Sequence, residues 1–266
     1  MLKKLLKYDL RANMKIFLLI WPAMLLFTGL QRLLLCLKET GRMSEFLAAS
    51  LTGIVILGLF AAVILCFVVC VIRFYSGLLR REGYLMFTLP VKPWQLLLSK
   101  LLSAMLTLAI TAILAYVCSA IVLSGLDACV WDTMFNFSRI LDQPLHAWTL
   151  VLAALCLLAT LANTILRVYF VSCLGHLCRR ARIFFSILFY YLIGILTQIL
   201  ITIASLLLTS VNTPIWLFRL GALMGGMSFN QVACLMLGSF LLCGIVIGCV
   251  YFFVSEVILR KRLNLE

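Results

Sequence analysis

The chain has 266 residues, of which 65% are hydrophobic and only 12% charged, where a soluble domain averages about half apolar and a quarter charged. That balance excludes an ordinary soluble domain and sets an all-α, polytopic membrane protein as the expectation. The net charge of +13 sits in short basic clusters between apolar runs rather than on one continuous face, so it points to membrane topology and away from nucleic acid.

Eleven cysteines are scattered, most of them inside the apolar runs. They form neither a disulfide framework nor paired metal-ligand motifs and read as small core hydrophobes. No cofactor or metal site is expected. The basic start and following apolar run lack a small-residue cleavage site after Trp21 and Pro22, so this segment is read as retained.

In chain order, residues 2–15 place Lys3, Lys4, Lys7, Arg11 and Lys15 on one helical face and Leu2, Leu5, Leu6, Leu10 and Ala12 on the other. That pattern predicts a helix lying in the membrane interface. Asp9 and Asn13 project from the middle of its apolar face. An unpaired carboxylate facing lipid is costly, so the pair either bonds a neighbouring basic segment, such as that around Arg73, or contacts a partner.

Apolar runs long enough to cross a bilayer follow at about 16–37, 47–72, 96–123, 149–173, 183–210 and 232–258. They predict six transmembrane helices in a single permease-like domain covering 1–266. Asn163 and Arg167 share a face near the end of the fourth run, where Arg167 is expected to snorkel to the headgroups rather than to line a substrate path. Gln198 in the fifth run either bonds a neighbouring helix or lines a path. Gly244 and Gly248 form a GxxxG pair in the sixth, and Glu256 and Arg260 stand at ion-pair spacing. The apolar run from 215 to 227 is too short to cross and fits an interfacial or re-entrant segment.

Of the 22 Lys and Arg, only Arg32, Lys38, Arg42, Arg139 and Arg219 fall on one side of this arrangement. The basic side is cytoplasmic, so both termini and the 73–100 connection are expected there. The heart of that connection is a six-residue apolar island, 84–89, bracketed by Arg80, Arg81 and Glu82 and by Pro90, Lys92 and Pro93. Either headgroups or a cleft in a partner must cover it.

No HExxH, GxSxG or GxxxxGK[ST] motif occurs, so an enzyme is not expected and any ATP must be hydrolysed by another polypeptide. The string Glu82-Gly83-Tyr84-Leu85-Met86-Phe87-Thr88-Leu89-Pro90-Val91, with Gln95 and Ser99-Lys100-Leu101, resembles the signature of bacterial ABC-2 type transporter permeases, the membrane subunits of ATP-binding cassette exporters.

The resemblance implies that this connection forms a cytoplasmic coupling helix, with Arg81, Glu82, Gly83, Tyr84, Leu85, Phe87, Leu89 and Pro90 contacting the ATPase. It also implies a cytoplasmic ATP-binding cassette ATPase and a second permease subunit, identical or similar, as partners in the bacterial cytoplasmic membrane, beside membrane lipids. Lys92-Pro93 departs from the Ser or Thr cap common in that family. The competing reading is a non-transporting anchor or sensor subunit that recruits an ATPase.

Overall fold

In hydrocarbon each backbone N–H and C=O must be paired inside the protein, and a helix achieves this within its own segment. The computed structural model describes residues 2–39, 44–79, 93–123, 147–176, 182–210 and 229–261. Among these every element is helical: α1 (Leu2–Glu39), α2 (Glu45–Phe74) continued by a π-helical turn (Tyr75–Leu79), α3 (Pro93–Leu123), α4 (Ala147–His176), α5 (Arg182–Ser210) and α6 (Phe229–Lys261).

Five stretches among the described residues are long and apolar enough to cross a membrane, lying in α1, in α2 with its π turn, and in α3, α4 and α6. The fold is that of a multi-pass transmembrane protein. The expectation of six is met only to that extent. Over 183–210 the chain is helical, but the described apolar stretch, Phe184–Ile199, falls short of the roughly 20 residues a span needs. The stretches 80–92, 124–146 and 211–228 lie outside the described residues, and with them the expected coupling helix and re-entrant segment.

Packing falls into two units, Met1–Pro144 and Leu145–Glu266. In the first, α3 packs against both α1 and α2, which also touch each other. The expectation of a separate interfacial helix over 2–15 is corrected here, because α1 runs unbroken from Leu2 to Glu39 with Pro22 inside it. Asn13, Phe17, Ile20, Met24, Thr28, Gln31 and Leu35 are all buried, at the alternating three- and four-residue spacing of a single helical stripe. That stripe crosses the expected boundary without a break in phase. Proline within a membrane helix is tolerated where neighbouring groups meet the freed backbone.

Polar side chains pin the same stripe to its neighbours. Trp21 donates its indole N–H to Thr111 Oγ1 at 3.0 Å, and Gln31 Nε2 donates to Thr52 Oγ1 at 3.0 Å. The outer faces carry large exposed apolar residues such as Leu19, Leu26, Phe60 and Ile113, the surface expected to face lipid.

In the second unit α4 packs against α6 and α5. Asn163 Nδ2 donates to the Gly244 carbonyl at 3.0 Å, and a β-carbon at Gly248 would stand 2.6 Å from Asn163 Oδ1. The GxxxG pair therefore receives a side chain of this same chain. Phe170 stacks on Tyr251 with ring centroids 5.4 Å apart, extending the α4–α6 seam.

Arg167 is held by a neighbouring helix. Its Nη2 donates to the Tyr190 carbonyl at 3.1 Å, and its guanidinium carbon lies 4.6 Å from the Tyr190 ring centroid. Gly194 permits this, since a β-carbon there would meet Nη2 at 2.5 Å. A residue without a side chain one turn beyond Tyr190 leaves that carbonyl open to a cation, and a carbonyl has a second lone pair to offer.

Gln198 is exposed, so the side-chain bond to a neighbouring helix weighed for it is not found among the described residues. Nor is an ion pair between Glu256 and Arg260.

Candidate functional site

The polar residues that interrupt the apolar face of α1 meet the two ends of the 80–92 connection. Asn13 Oδ1 accepts a hydrogen bond of 3.1 Å from Arg73 Nη1, in the last turn of α2. One turn earlier, Asp9 Oδ1 takes the Lys100 ammonium at 3.3 Å, and Asp9 Oδ2 accepts from the Ser99 hydroxyl at 2.9 Å.

Arg73 lies just before the connection leaves α2, and Ser99 and Lys100 lie two turns after it rejoins as α3. Of the two readings open for Asp9 and Asn13, the bond to a basic neighbour is the one formed, with Arg73 taking Asn13 and α3 supplying the cation for Asp9.

The pair Asp9–Lys100 is largely withdrawn from water, with side chains 16% and 11% exposed respectively. At such burial each charge depends on its partner, because an isolated charge would bear most of its desolvation cost alone. Ser99 makes the carboxylate doubly bonded, and its hydroxyl also reaches the Leu96 carbonyl at 3.0 Å.

The π turn completes the arrangement. A β-carbon on Gly77 would meet Lys100 Nζ at 2.9 Å, so glycine leaves the ammonium room against the turn, and a larger residue would shift the end of that flexible side chain. π-helical turns are rare and recur at functional positions.

Around these groups lies a cavity of about 300 Å3, lined among others by Asp9, Asn13, Arg73, Ser76, Lys100 and Ser103. From Glu45 to Arg73 helix α2 rises about 42 Å at 1.5 Å per residue, close to the thickness of a bilayer with its headgroups. A bilayer crossed upright by α2 would hold the cavity at headgroup depth.

Mechanically the site is a clamp. One carboxylate and one amide, a turn apart on α1, hold the last turn of α2 and the second turn of α3 together. A displacement of either root of the 80–92 connection must break a charged or charge-assisted bond or carry α1 along.

Arg81, Glu82, Gly83, Tyr84, Leu85, Phe87, Leu89 and Pro90 lie outside the described residues. In the sequence Lys100 reads as a topology charge and as part of the signature string, with no partner named for it, and Gly77 is passed over. The available signal was a glycine one turn beyond Arg73 in a segment due to pack against α3. No group of three His, Cys, Asp or Glu able to hold a metal is found among the described residues.

Fold and site together define an all-helical, multi-pass membrane protein with a charged clamp at one end of its first three helices. Comparisons with models of protein families, with curated proteins and with solved structures find no match.

Proposed function

We propose that this chain is the membrane-spanning permease subunit of an ATP-binding cassette transporter, of the exporter kind, driven by a separate cytoplasmic ATPase. In this reading α5 also crosses, giving six spans with both termini in the cytoplasm, and residues 80–92 form the coupling helix that docks on the ATPase. The reading rests first on the string from Glu82 to Val91. The observation that carries it beyond that string is the clamp. Both roots of the connection are tied to α1 through Asp9 and Asn13, which suits a loop that must pass force into the membrane helices rather than bend on its own.

A purely lipid-facing loop would have no need of that tether. An anchor or sensor subunit would need ATPase binding but no path for substrate. The mostly apolar spans lean toward a lipid-like or amphipathic peptide cargo.

Half of a typical translocation unit is six spans, so the expected assembly is two permease chains, identical or similar, with two ATPase subunits in the bacterial cytoplasmic membrane. Mass measurement of the complex from native-like membrane should give four subunits, and reconstituted vesicles should move substrate with ATP. A stable monomer without ATPase overturns the reading, and an ATPase-bound complex without transport favours the anchor.

A further inference from the structure

The cavity behind the clamp has a charge balance that the clamp does not use up. Among the described residues its lining holds one carboxylate, Asp9, and two cations, Arg73 and Lys100. Asp9 is already satisfied by Lys100 at 3.3 Å and Ser99 at 2.9 Å. Arg73 donates to Asn13 Oδ1 at 3.1 Å, and Asn13 is a neutral amide. The described side chains lining this space therefore carry an excess of one positive charge, located on a guanidinium whose described side-chain partner cannot neutralise it.

A guanidinium presents five N–H donors in a planar fork. A single amide oxygen occupies one of them. Ser76 and Ser103 line the same space, with their hydroxyls donating to the Arg73 and Lys100 carbonyls at 3.5 and 3.0 Å, so the guanidinium is the donor that the site offers. Planar, multi-donor recognition of this sort suits a phosphate group, whose oxygens accept several charge-assisted bonds at once. The volume of about 300 Å3 is well above the roughly 30 Å3 share of a single water, and α2 is long enough to hold the site at headgroup depth.

We infer that the cavity between α1, the α2 end and α3 is a phosphate-binding site centred on Arg73, filled by an anionic phospholipid headgroup or by dissolved phosphate. This inference does not rest on the transporter reading. The Asp9 carboxylate sets its selectivity. It neutralises Lys100, so the site offers one net charge and favours a singly anionic headgroup over a zwitterionic one.

The test uses the purified full chain in a neutral detergent and reads lipid adducts by native mass spectrometry, with phosphatidylglycerol, phosphatidylcholine and inorganic phosphate as probes. Wild-type protein should retain phosphatidylglycerol in preference to phosphatidylcholine, and Arg73→Gln should lower that retention about tenfold. Asn13→Ala removes the amide and keeps the guanidinium, so it should retain at least as much lipid as wild type.

Inorganic phosphate that strips the adduct assigns the site to free phosphate, and an adduct that survives it assigns the site to lipid. Equal retention by Arg73→Gln and wild type overturns the inference, as does equal retention of the two lipids with no phosphate adduct. An Asn13→Ala loss as large as that of Arg73→Gln also overturns it, since the arginine would then act only through the fold.

Discussion

Asp9 is a carboxylate in the apolar stripe of a membrane helix, and its environment explains how it is tolerated there. Lys100 supplies the opposite charge and Ser99 a hydroxyl, so removing the carboxylate takes the 3.3 Å ion pair from a largely buried ammonium. Asp9→Asn should lower unfolding stability in detergent by about 2 kcal/mol. The double replacement Asp9→Leu with Lys100→Met should recover most of that loss, because a buried pair exchanged for apolar groups of similar size is often neutral. Equal unfolding midpoints for wild type and Asp9→Asn would remove the pair from the account.

The need for a partner at Asp9 and Asn13 was legible in the sequence, since two polar residues a turn apart on an apolar face must be satisfied. The identity of the Asp9 partner was not. A lysine two turns into a helix reads as a topology charge until α1 is seen to stand beside it. The contact of Arg167 was hidden for a similar reason, since the carbonyl of Tyr190, uncovered by Gly194, is an acceptor that shows only once the neighbouring helix stands beside it.

Between elements, close approach is set by glycine. At the α4–α6 seam Gly248 leaves room for Asn163 Oδ1, at 2.6 Å from where a β-carbon would stand. Asn163 in turn bonds the Gly244 carbonyl. Gly248→Ala should displace the amide and cost about 1 kcal/mol, in line with side-chain hydrogen bonds between membrane helices, which run from about 0.6 to 1.7 kcal/mol. Asn163→Ala combined with Gly248→Ala should cost no more than Asn163→Ala alone, as unfolding of the three proteins in one detergent will check.

The GxxxG spacing was visible in the sequence, but the pattern does not say which surface fills it. The positions of α2, α3, α4 and α6 were legible to within about three residues at either end, because long apolar runs leave little alternative. The division of α1 into two helices was not correct. Amphipathic patterning over fourteen residues looks alike whether the polar face meets headgroups or the helix continues, and only the phase of the buried stripe through Asn13, Phe17 and Ile20 distinguishes them.

For the molecule as a whole, the basic residues set an orientation that labelling can test. Cys129, on a single-cysteine background, should react with a membrane-impermeant thiol reagent added to intact cells, and Cys178 only after permeabilisation. The reverse pattern would place the clamp and the 80–92 connection on the outer side.

The central claim is that the connection held by the clamp engages an ATPase. In that engagement Phe87 is the expected anchor, because a large aromatic side chain buried in a partner's cleft often contributes about 2 kcal/mol or more. Glu82 is a rim charge acting on encounter rate and register, so Glu82→Lys should act more mildly and in a salt-dependent way.

The most direct measurement is co-purification of the ATPase with wild-type and Phe87→Ala protein at equal membrane levels, followed by ATP turnover of what is recovered. The account predicts normal membrane insertion of Phe87→Ala, reduced recovery of the ATPase and loss of the transport-linked hydrolysis. Equal recovery and equal turnover would contradict it.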